Sequence, residues 1–342
     1  MTLKKRSERY PLQSSPFHKM GRAKDLADIL RLAPKELTRL IVQRSVLYNF
    51  KDEVIGGKAR SLAVPIGEMR RVHDRIKDLL GRIILPDYLY SPRRGRAAVD
   101  NALVHLGRAV VVKLDVKQFY PSTTSEHVFQ FLKHRLGMAD DVAGRLTKIC
   151  TINGRVPFGS PLSPVLCALV HDDLFSKVAK RCELHGDELS LWVDDLTVSG
   201  DQVAKGLVRD IIRMIEAKGL KAHKAQRSTA RRGIVITGTF IGPKGPAPAN
   251  KSHLKMQAKL LEIEAELNPA VRMKLVESAI GMVNHQLTIY PEGGADHSRL
   301  KARRQWLWNE FRTLRASSEL AASAAAAPRV ATIPPDASVP WG

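Results

Sequence analysis

The stretch that most constrains this chain is residues 189–200, which read LSLWVDDLTVSG. Apolar and β-branched residues on both sides of an acidic pair predict a β-hairpin with Asp194 and Asp195 at its tip. Two adjacent carboxylates repel each other, and burying them beside Trp192 and Leu196 is costly unless a cation neutralises them. The hairpin therefore predicts a site for a divalent metal ion.

A third carboxylate follows another apolar run. Residues 109–115 read AVVVKLD, which predicts a buried strand that ends at Asp115, shortly before an aromatic pair and Pro121. Three carboxylates at neighbouring strand ends can hold two Mg²⁺ ions roughly 3.5–4 Å apart, an arrangement that activates a hydroxyl and stabilises the leaving oxygen in nucleotidyl transfer. The combination predicts the palm of a nucleic-acid polymerase.

Further motifs stand in a fixed order around these carboxylates. Residues 101–105 read NALVH, 115–122 read DVKQFYPS, 192–200 read WVDDLTVSG and 236–238 read ITG. In this order they resemble the Asn-Ala-x-x-His element, the first palm motif, the Tyr-x-Asp-Asp motif with its Leu-Thr-x-Ser continuation, and the Val-Thr-Gly element of bacterial retron-type reverse transcriptases. The resemblance runs from about residue 47 to about residue 291.

The resemblance implies an α+β fold of the right-hand polymerase type, with fingers, a palm built on an antiparallel sheet, and a helical thumb. We expect a loosely ordered basic arm at residues 1–22, fingers and N-terminal helices at 23–108, and the palm at 109–242, with fingers-side helices inserted. The helical thumb is expected at 251–315, followed by a disordered Ala-, Ser- and Pro-rich tail at 316–342.

Residues that would bind the incoming nucleotide lie in separate segments. A Gly-Gly pair before Lys58 predicts a tight turn, and the returning strand would bring Lys58 and Arg60 to a triphosphate; an ordinary basic hairpin is the alternative. The resemblance implies that Tyr120 lies beneath the sugar and excludes a 2′-hydroxyl. Gly159 permits close approach of the backbone to a ligand. Phe158 stands where the family has Gln, which leaves fidelity and substrate preference open.

The resemblance also implies the ligands of two Mg²⁺ ions. The metal ligands would be Asp115, Val116, Asp194 and Asp195, with Asp194 contacting both ions. The basic loop at residues 91–96 and the basic last helix suit contacts with RNA phosphates, and a solvated loop is an equal alternative for residues 91–96. Candidate RNA contacts are Arg93, Arg94, Arg96, Asn101, His105, Arg303 and Arg304. For His105 we favour the alternative of a structural histidine, and for Lys224 a solvated lysine over a proton donor to pyrophosphate.

Composition limits the partners and the compartment. Lys and Arg exceed Asp and Glu by 55 to 34, a net charge of +21, which predicts binding to a polyanion such as nucleic acid. The three cysteines are odd in number and lack Cys-x-x-Cys spacing, so neither a disulfide framework nor a zinc site is predicted. Without a signal peptide or a long apolar run, we expect a cytoplasmic protein that does not bind membranes.

The function implied by the resemblance is RNA-templated DNA synthesis from deoxynucleoside triphosphates. A dedicated structured RNA would serve as template and primer, and the product would be a branched RNA–DNA hybrid. A role in anti-phage defence with a separate effector protein is also implied. The alternatives are another bacterial reverse transcriptase, from a group II intron, a diversity-generating element or a standalone defence system, and a non-catalytic RNA-binding protein on a polymerase fold. The cognate RNA, the priming nucleotide, the oligomeric state and the effects of Trp192 and Phe158 stay open.

Overall fold

The structure is a computed structural model that describes residues 8–55, 57–223 and 225–326. The chain divides into two compact units, Met1–Gly245 and Pro246–Gly342. Gly56 of the predicted Gly-Gly turn and Lys224 lie outside the described residues. The first unit contains all the predicted catalytic residues, and the second consists mainly of helices.

Helices form where apolar residues recur at helical spacing. In the first helix, for example, Leu26, Ala27 and Leu30 are buried on one face. Within the described residues, no helix combines the length and the apolar character that a membrane span requires. The helices are α1 (Ala23–Leu30), α2 (Pro34–Val42), α3 (Gly67–Leu80), α4 (Ala98–Leu103), α5 (Phe119–Ser122), α6 (Ser125–Gln130), α7 (Asp140–Cys150), α8 (Ser163–Val170), α9 (Asp172–Leu184), α10 (Lys205–Ala217), α11 (Asn250–Ala265), α12 (Pro269–Leu287) and α13 (Ala295–Ala326).

The strands form a five-stranded sheet in the first unit, here called the palm sheet, together with smaller sheets. The strands are β1 (Tyr48–Ile55), β2 (Lys58–Pro65), β3 (Leu89–Ser91), β4 (Val110–Asp115), β5 (Glu188–Trp192), β6 (Asp195–Gly200), β7 (Gln226–Thr229), β8 (Ile234–Ile236), β9 (Thr239–Gly242) and β10 (Gly245–Pro248). The palm sheet has the order β3-β5-β6-β4-β7. All its pairings are antiparallel except that of β3 with β5. The predicted α+β fold with an antiparallel palm sheet is therefore confirmed.

Alternation along β4 and β6 gives the palm sheet one apolar face. Leu114, Leu196 and Val198 are buried in the main core of the first unit, together with residues of α8 and α9. The residues between them in sequence point to the other face, because side chains alternate along a strand. Asp115 and Asp195 stand at the ends of their strands on that second face.

The N-terminal segment is packed into the first unit. Phe17 is 0% exposed, and Ser15 and Met20 are also buried. The Lys19 amide donates a hydrogen bond to the Leu136 carbonyl at 2.7 Å. For residues 8–22 the prediction of a loosely ordered arm is therefore wrong, because apolar residues between the charged ones are taken into the core. Residues 1–7 lie outside the described residues.

The second unit has its own small core. Apolar residues of α11, α12 and α13 meet there, including Met256, Val283 and Leu307. Helix α13 continues to Ala326, so residues 316–326 are helical where a disordered tail was predicted. The reason is composition: six of the eleven residues in this segment are Ala, which has the highest helix propensity. Residues 327–342 lie outside the described residues.

Replacing Phe17 by Ala tests the corrected N-terminal segment. The side chain fills a closed position in the main core, and we expect the variant to lose about 3–5 kcal/mol of unfolding free energy. Phe50→Ala is the matched control, since Phe50 is 52% exposed and should change stability little. Urea unfolding followed by circular dichroism measures both, and equal stability of Phe17→Ala and wild type would contradict the packing.

Candidate active site

Strand pairing brings the three predicted catalytic aspartates to one edge of the palm sheet. Asp115 is the last residue of β4 and lies opposite Asp195, the first residue of β6. Strands β5 and β6 and the two-residue loop between them form a hairpin, here called the aspartate hairpin. Asp194 lies in its loop. Its carbonyl oxygen accepts a hydrogen bond from the Val116 amide at 3.1 Å. All three carboxylates therefore stand where β4 meets the aspartate hairpin.

The loop of the aspartate hairpin is strained. Val193 has a φ of 59°, in the left-handed region. This conformation costs a residue with a branched side chain about 1–2 kcal/mol or more, and two-residue hairpin loops normally use Asn or Gly there. The loop therefore does not favour the hairpin by itself, and the pairing of β6 with its neighbours must hold it.

Burial and mutual repulsion make the ionised site unfavourable. The pKa of Asp194 is raised to about 6, first by burial and then by the charges of Asp195 and Asp115, while the Arg60 guanidinium opposes the shift. The pKa of Asp195 is also raised by burial, which the Lys113 ammonium opposes and Asp115 increases. A bound divalent cation would offset this repulsion.

The donor atoms suit a hard cation, because Mg²⁺ binds carboxylate and carbonyl oxygens. Among the described residues, however, no three His, Cys, Asp or Glu side chains are already placed to enclose a metal ion. Repulsion among ionised carboxylates opposes such a closed arrangement until a cation is bound. The Val116 side chain is buried and has no donor atom, so only its backbone carbonyl could serve as a ligand. Metal binding at these residues stays a prediction.

Basic and aromatic side chains lead from the β1–β2 hairpin toward the aspartates. The Arg60 guanidinium carbon lies 5.6 Å from the centroid of the Phe158 ring. The Phe158 ring is in turn 5.7 Å from that of Tyr120. Burial raises the pKa of the Tyr120 hydroxyl, with smaller contributions from Cys167 and Asp194. Three of the predicted nucleotide-binding residues are thus neighbours beside the carboxylates.

The other two predicted nucleotide-binding residues are placed differently. Lys58 is exposed at the loop end of β2. Gly159 has a φ of 116°, and a Cβ there would lie 3.0 Å from Val64 Cγ2 and 3.4 Å from the Ala63 carbonyl oxygen. The close approach that requires this glycine is therefore to β2. Contact of Lys58 or Gly159 with a nucleotide stays a prediction.

Two predicted RNA contacts lie inside the protein. Asn101 and His105 are both 0% exposed, so the prediction that they contact RNA is wrong. They sit on and just after α4, where His105 hydrogen-bonds to Ser199 at 2.6 Å and to Ser190 at 2.7 Å. The structural alternative for His105 is the one that agrees with the fold. Within the NALVH motif, His105 faces the palm sheet, whereas Leu103 is exposed to solvent.

The predicted arginine contacts differ in how strongly neighbouring groups hold them. Arg93 donates to the Asp87 carboxylate at 3.0 Å, and the Arg96 guanidinium lies 4.9 Å from the centroid of the Tyr90 ring. Arg94 is exposed in the same loop. In the second unit, Arg303 is exposed and Arg304 is partly exposed. RNA contact by these arginines stays a prediction.

Sequence analysis missed Lys113 as a site residue. It lies on β4 two positions before Asp115, and its charge opposes the raised pKa of Asp195. Its ammonium donates to the Val235 carbonyl at 2.9 Å, which fixes the side chain. The signal in the sequence was a single cation inside an otherwise apolar strand, on the same side of that strand as Asp115.

Replacing Asp194 by Asn is expected to stabilise the protein in the presence of a chelator. Because the folded-state pKa is raised, the ionised carboxylate opposes folding above about pH 6, and the cost vanishes as the pH falls toward 4. We expect a gain of about 1–3 kcal/mol near pH 8 and almost none near pH 4. Urea unfolding at both pH values measures this, with exposed Asp28→Asn as control. A less stable Asp194→Asn near pH 8 would contradict the electrostatic argument.

Proteins similar to this chain include reverse transcriptases of retrons. The retron Se72 reverse transcriptase of Salmonella heidelberg is 29% identical over 180 residues, covering 52% of this chain and 48% of that protein. The retron Ec86 reverse transcriptase of Escherichia coli is 24% identical over 252 residues, covering 71% and 78%. The chain thus spans about half the length of the Se72 protein. A foamy viral protease-reverse transcriptase bound to double-stranded DNA aligns with 90% of this chain and 52% of its own at 13% identity, and its TM-score of 0.41 is too low for any inference.

One protein family matches the chain across the whole candidate site. The family is described as reverse transcriptase (RNA-dependent DNA polymerase), and the match covers residues 51–238. This range is more than half of the 342 residues and includes the β1–β2 hairpin from Lys51, Asp115, Tyr120 and the aspartate hairpin. The chain belongs to the reverse transcriptase family, and the proteins similar to it include those of bacterial retrons.

Proposed function

We propose that this chain is the RNA-directed DNA polymerase of a retron and works by two-metal nucleotidyl transfer. The single observation that carries the proposal is the register that sets Asp115 opposite Asp195, with Asp194 in the adjoining loop. Membership of the reverse transcriptase family supports it. The net charge of +21 supports a nucleic-acid partner, since a basic chain attracts a polyanion.

The residues of the site have separate tasks in this proposal. Two Mg²⁺ ions, when bound, would supply the Lewis-acid chemistry of nucleotidyl transfer. Asp115, Asp194 and Asp195 would hold them through carboxylate oxygens. With a pKa of about 6, Asp194 is mostly ionised at neutral pH and can act as a ligand. Arg60 would bind the triphosphate through paired hydrogen bonds.

Phe158 places an aromatic ring in this site at the position where the family has Gln. The Phe158 ring packs against Tyr120, and the Arg60 guanidinium lies over its face. One side chain thus contacts two predicted nucleotide-binding residues. Such contacts restrict the rotamers of Tyr120 and Arg60 before a nucleotide arrives. We propose that stacking by Phe158 replaces the polar contact of the usual Gln. Tyr120 would then exclude the 2′-hydroxyl of a ribonucleotide.

The retron part of the proposal rests on the motifs and on the similarity to retron proteins. A cognate structured RNA would be template and primer, and the product would be a branched RNA–DNA hybrid. A role in anti-phage defence with a separate effector protein belongs to the same proposal. Exposed Arg94 and Arg303 are candidates for contacts with that RNA, because arginine binds phosphates well.

Substituting the aspartates tests the polymerase proposal. Asp115→Asn, Asp194→Asn and Asp195→Asn should each lower Mg²⁺-dependent incorporation of labelled deoxynucleotides on a primed RNA template by about 10²–10³-fold or more, because each removes a metal ligand. The matched control replaces Asp140 and Asp141 by Asn, an acidic pair at the start of α7, and should keep full activity.

Two further outcomes separate the alternatives. A wild type that binds RNA and incorporates nothing on RNA or DNA templates would contradict the polymerase proposal and favour a non-catalytic RNA-binding protein. Nucleic acid copurified from the native host decides the retron part: one linked RNA–DNA species is expected. Polymerase activity without such a species would favour another type of bacterial reverse transcriptase.

Tyr120→Ala tests the proposed sugar selection. Removing the ring opens space beneath the ribose, so incorporation of ribonucleotides relative to deoxynucleotides should rise about tenfold or more in kcat/KM. Tyr120→Phe keeps the ring and its contact with Phe158, and its selectivity should match that of the wild type. An unchanged preference in Tyr120→Ala would assign sugar selection to another residue.

A further inference from the structure

His105 bridges the two strands of the aspartate hairpin. Its Nδ1 is 2.6 Å from the Ser199 hydroxyl on β6, and its Nε2 is 2.7 Å from the Ser190 hydroxyl on β5. All three residues are 0% exposed, so water does not compete for these hydrogen bonds. The catalytic proposal above leaves His105 without a task, although it belongs to the NALVH motif.

The direction of each hydrogen bond can be assigned from the available acceptors. The Ser190 hydroxyl also lies 3.5 Å from the Asn101 carbonyl, to which it can only donate. The tautomer with its proton on Nε2 fits this contact: Nε2–H donates to Ser190, and Nδ1 accepts from Ser199. Burial, aided by Arg108, lowers the pKa of His105 to about 3. The ring thus stays neutral, with one donor and one acceptor.

This bridge depends on the register of the hairpin. Ser190 pairs with Thr197, and Ser199 pairs with Glu188, so the two serines lie diagonally on one face of the sheet. Asp195 is on that same face, because it is an even number of positions from Ser199. A slip of one residue would turn one serine to the opposite face and break the bridge. The strained loop at Val193 cannot enforce the register by itself.

The ITG motif holds the segment that carries His105. The Thr237 hydroxyl donates to the Ala98 carbonyl at the start of α4, at 2.6 Å. Ile236 and Ile241 of β8 and β9 pack with Ala102 in a small core. The NALVH and ITG motifs, neither of which has a role in the catalytic proposal, therefore pack together against the palm sheet.

We propose that His105 is a positioning residue that fixes the register of β5 with β6 in the aspartate hairpin and thereby the positions of Asp194 and Asp195 at its loop end. The inference rests on the proposed function only in taking these carboxylates as the metal-binding groups. Ser199 lies at the end of the hairpin away from the loop and Ser190 in its middle, and strand pairing would transmit the effect of the bridge to the carboxylates.

The test removes the ring and both hydroxyls of the bridge together, so that none of these three groups is left without its partner. The triple variant His105→Leu, Ser190→Ala, Ser199→Ala replaces all three partners by apolar groups, which leaves stability nearly unchanged when the shapes are similar. Ser228→Ala is the matched control: its hydroxyl donates to the Gly233 carbonyl near β7 and does not touch the hairpin. Mn²⁺ binding by calorimetry, thermal unfolding, and kcat and KM for a deoxynucleotide are measured for each protein.

A positioning role predicts a triple variant that is folded and binds Mn²⁺ about 10–100-fold more weakly. Its kcat should fall about 10²-fold, with little change in KM. A folded triple variant with wild-type Mn²⁺ affinity and kcat would overturn the proposal. If His105 only stabilised the fold, a variant as stable as the wild type would keep both values. If the triple variant does not fold, Ser199→Ala alone, which keeps the ring and one hydrogen bond, must show a smaller loss of Mn²⁺ affinity, and no loss overturns the proposal. A wild type without polymerase activity would contradict the proposed function, while the ratio of Mn²⁺ affinities would still test the bridge.

Discussion

The antiparallel pairing of β4 with β6 is the interaction on which the rest of the site depends. It sends Leu114 and Leu196 into the core and leaves Asp115 opposite Asp195 at the open end of the sheet. The free energy that orders this region comes from the apolar face, because burying apolar surface is favourable and gathering carboxylates is not. The end of the sheet that carries the carboxylates is therefore held in an unfavourable arrangement by packing elsewhere in the same strands.

Buried neutral histidines recur beneath the site. His73 hydrogen-bonds to Ser160, close to Phe158, and His171 hydrogen-bonds to Thr123, next to the helix that carries Tyr120. Burial lowers the pKa of His73 to about 4 and that of His171 to about 3. Together with His105 they supply directional hydrogen bonds under three separate segments of the site. Directional contacts order a core more specifically than apolar packing does.

The charge of the site is opposite to that of the chain around it. A net charge of +21 favours nucleic acid, whereas the aspartates repel phosphates unless cations are bound. Lys113 and Arg60 oppose the raised pKa values of Asp195 and Asp194 from different elements. The net charge of the chain therefore attracts a polyanion while the aspartates repel it, unless cations are bound between them.

The sequence by itself determined the local features of this protein: the hairpin that carries Asp194, the strand that ends at Asp115, and the aromatic segment with Tyr120. Each follows from alternation or composition over about ten residues, which neighbouring side chains impose. Only the tertiary structure decided that Phe17 is core, that His105 is buried against the palm sheet, and that Gly159 is required by β2. The physical reason is that burial depends on which distant segments pack together, and a motif has the same letters whether its side chains face solvent or the core.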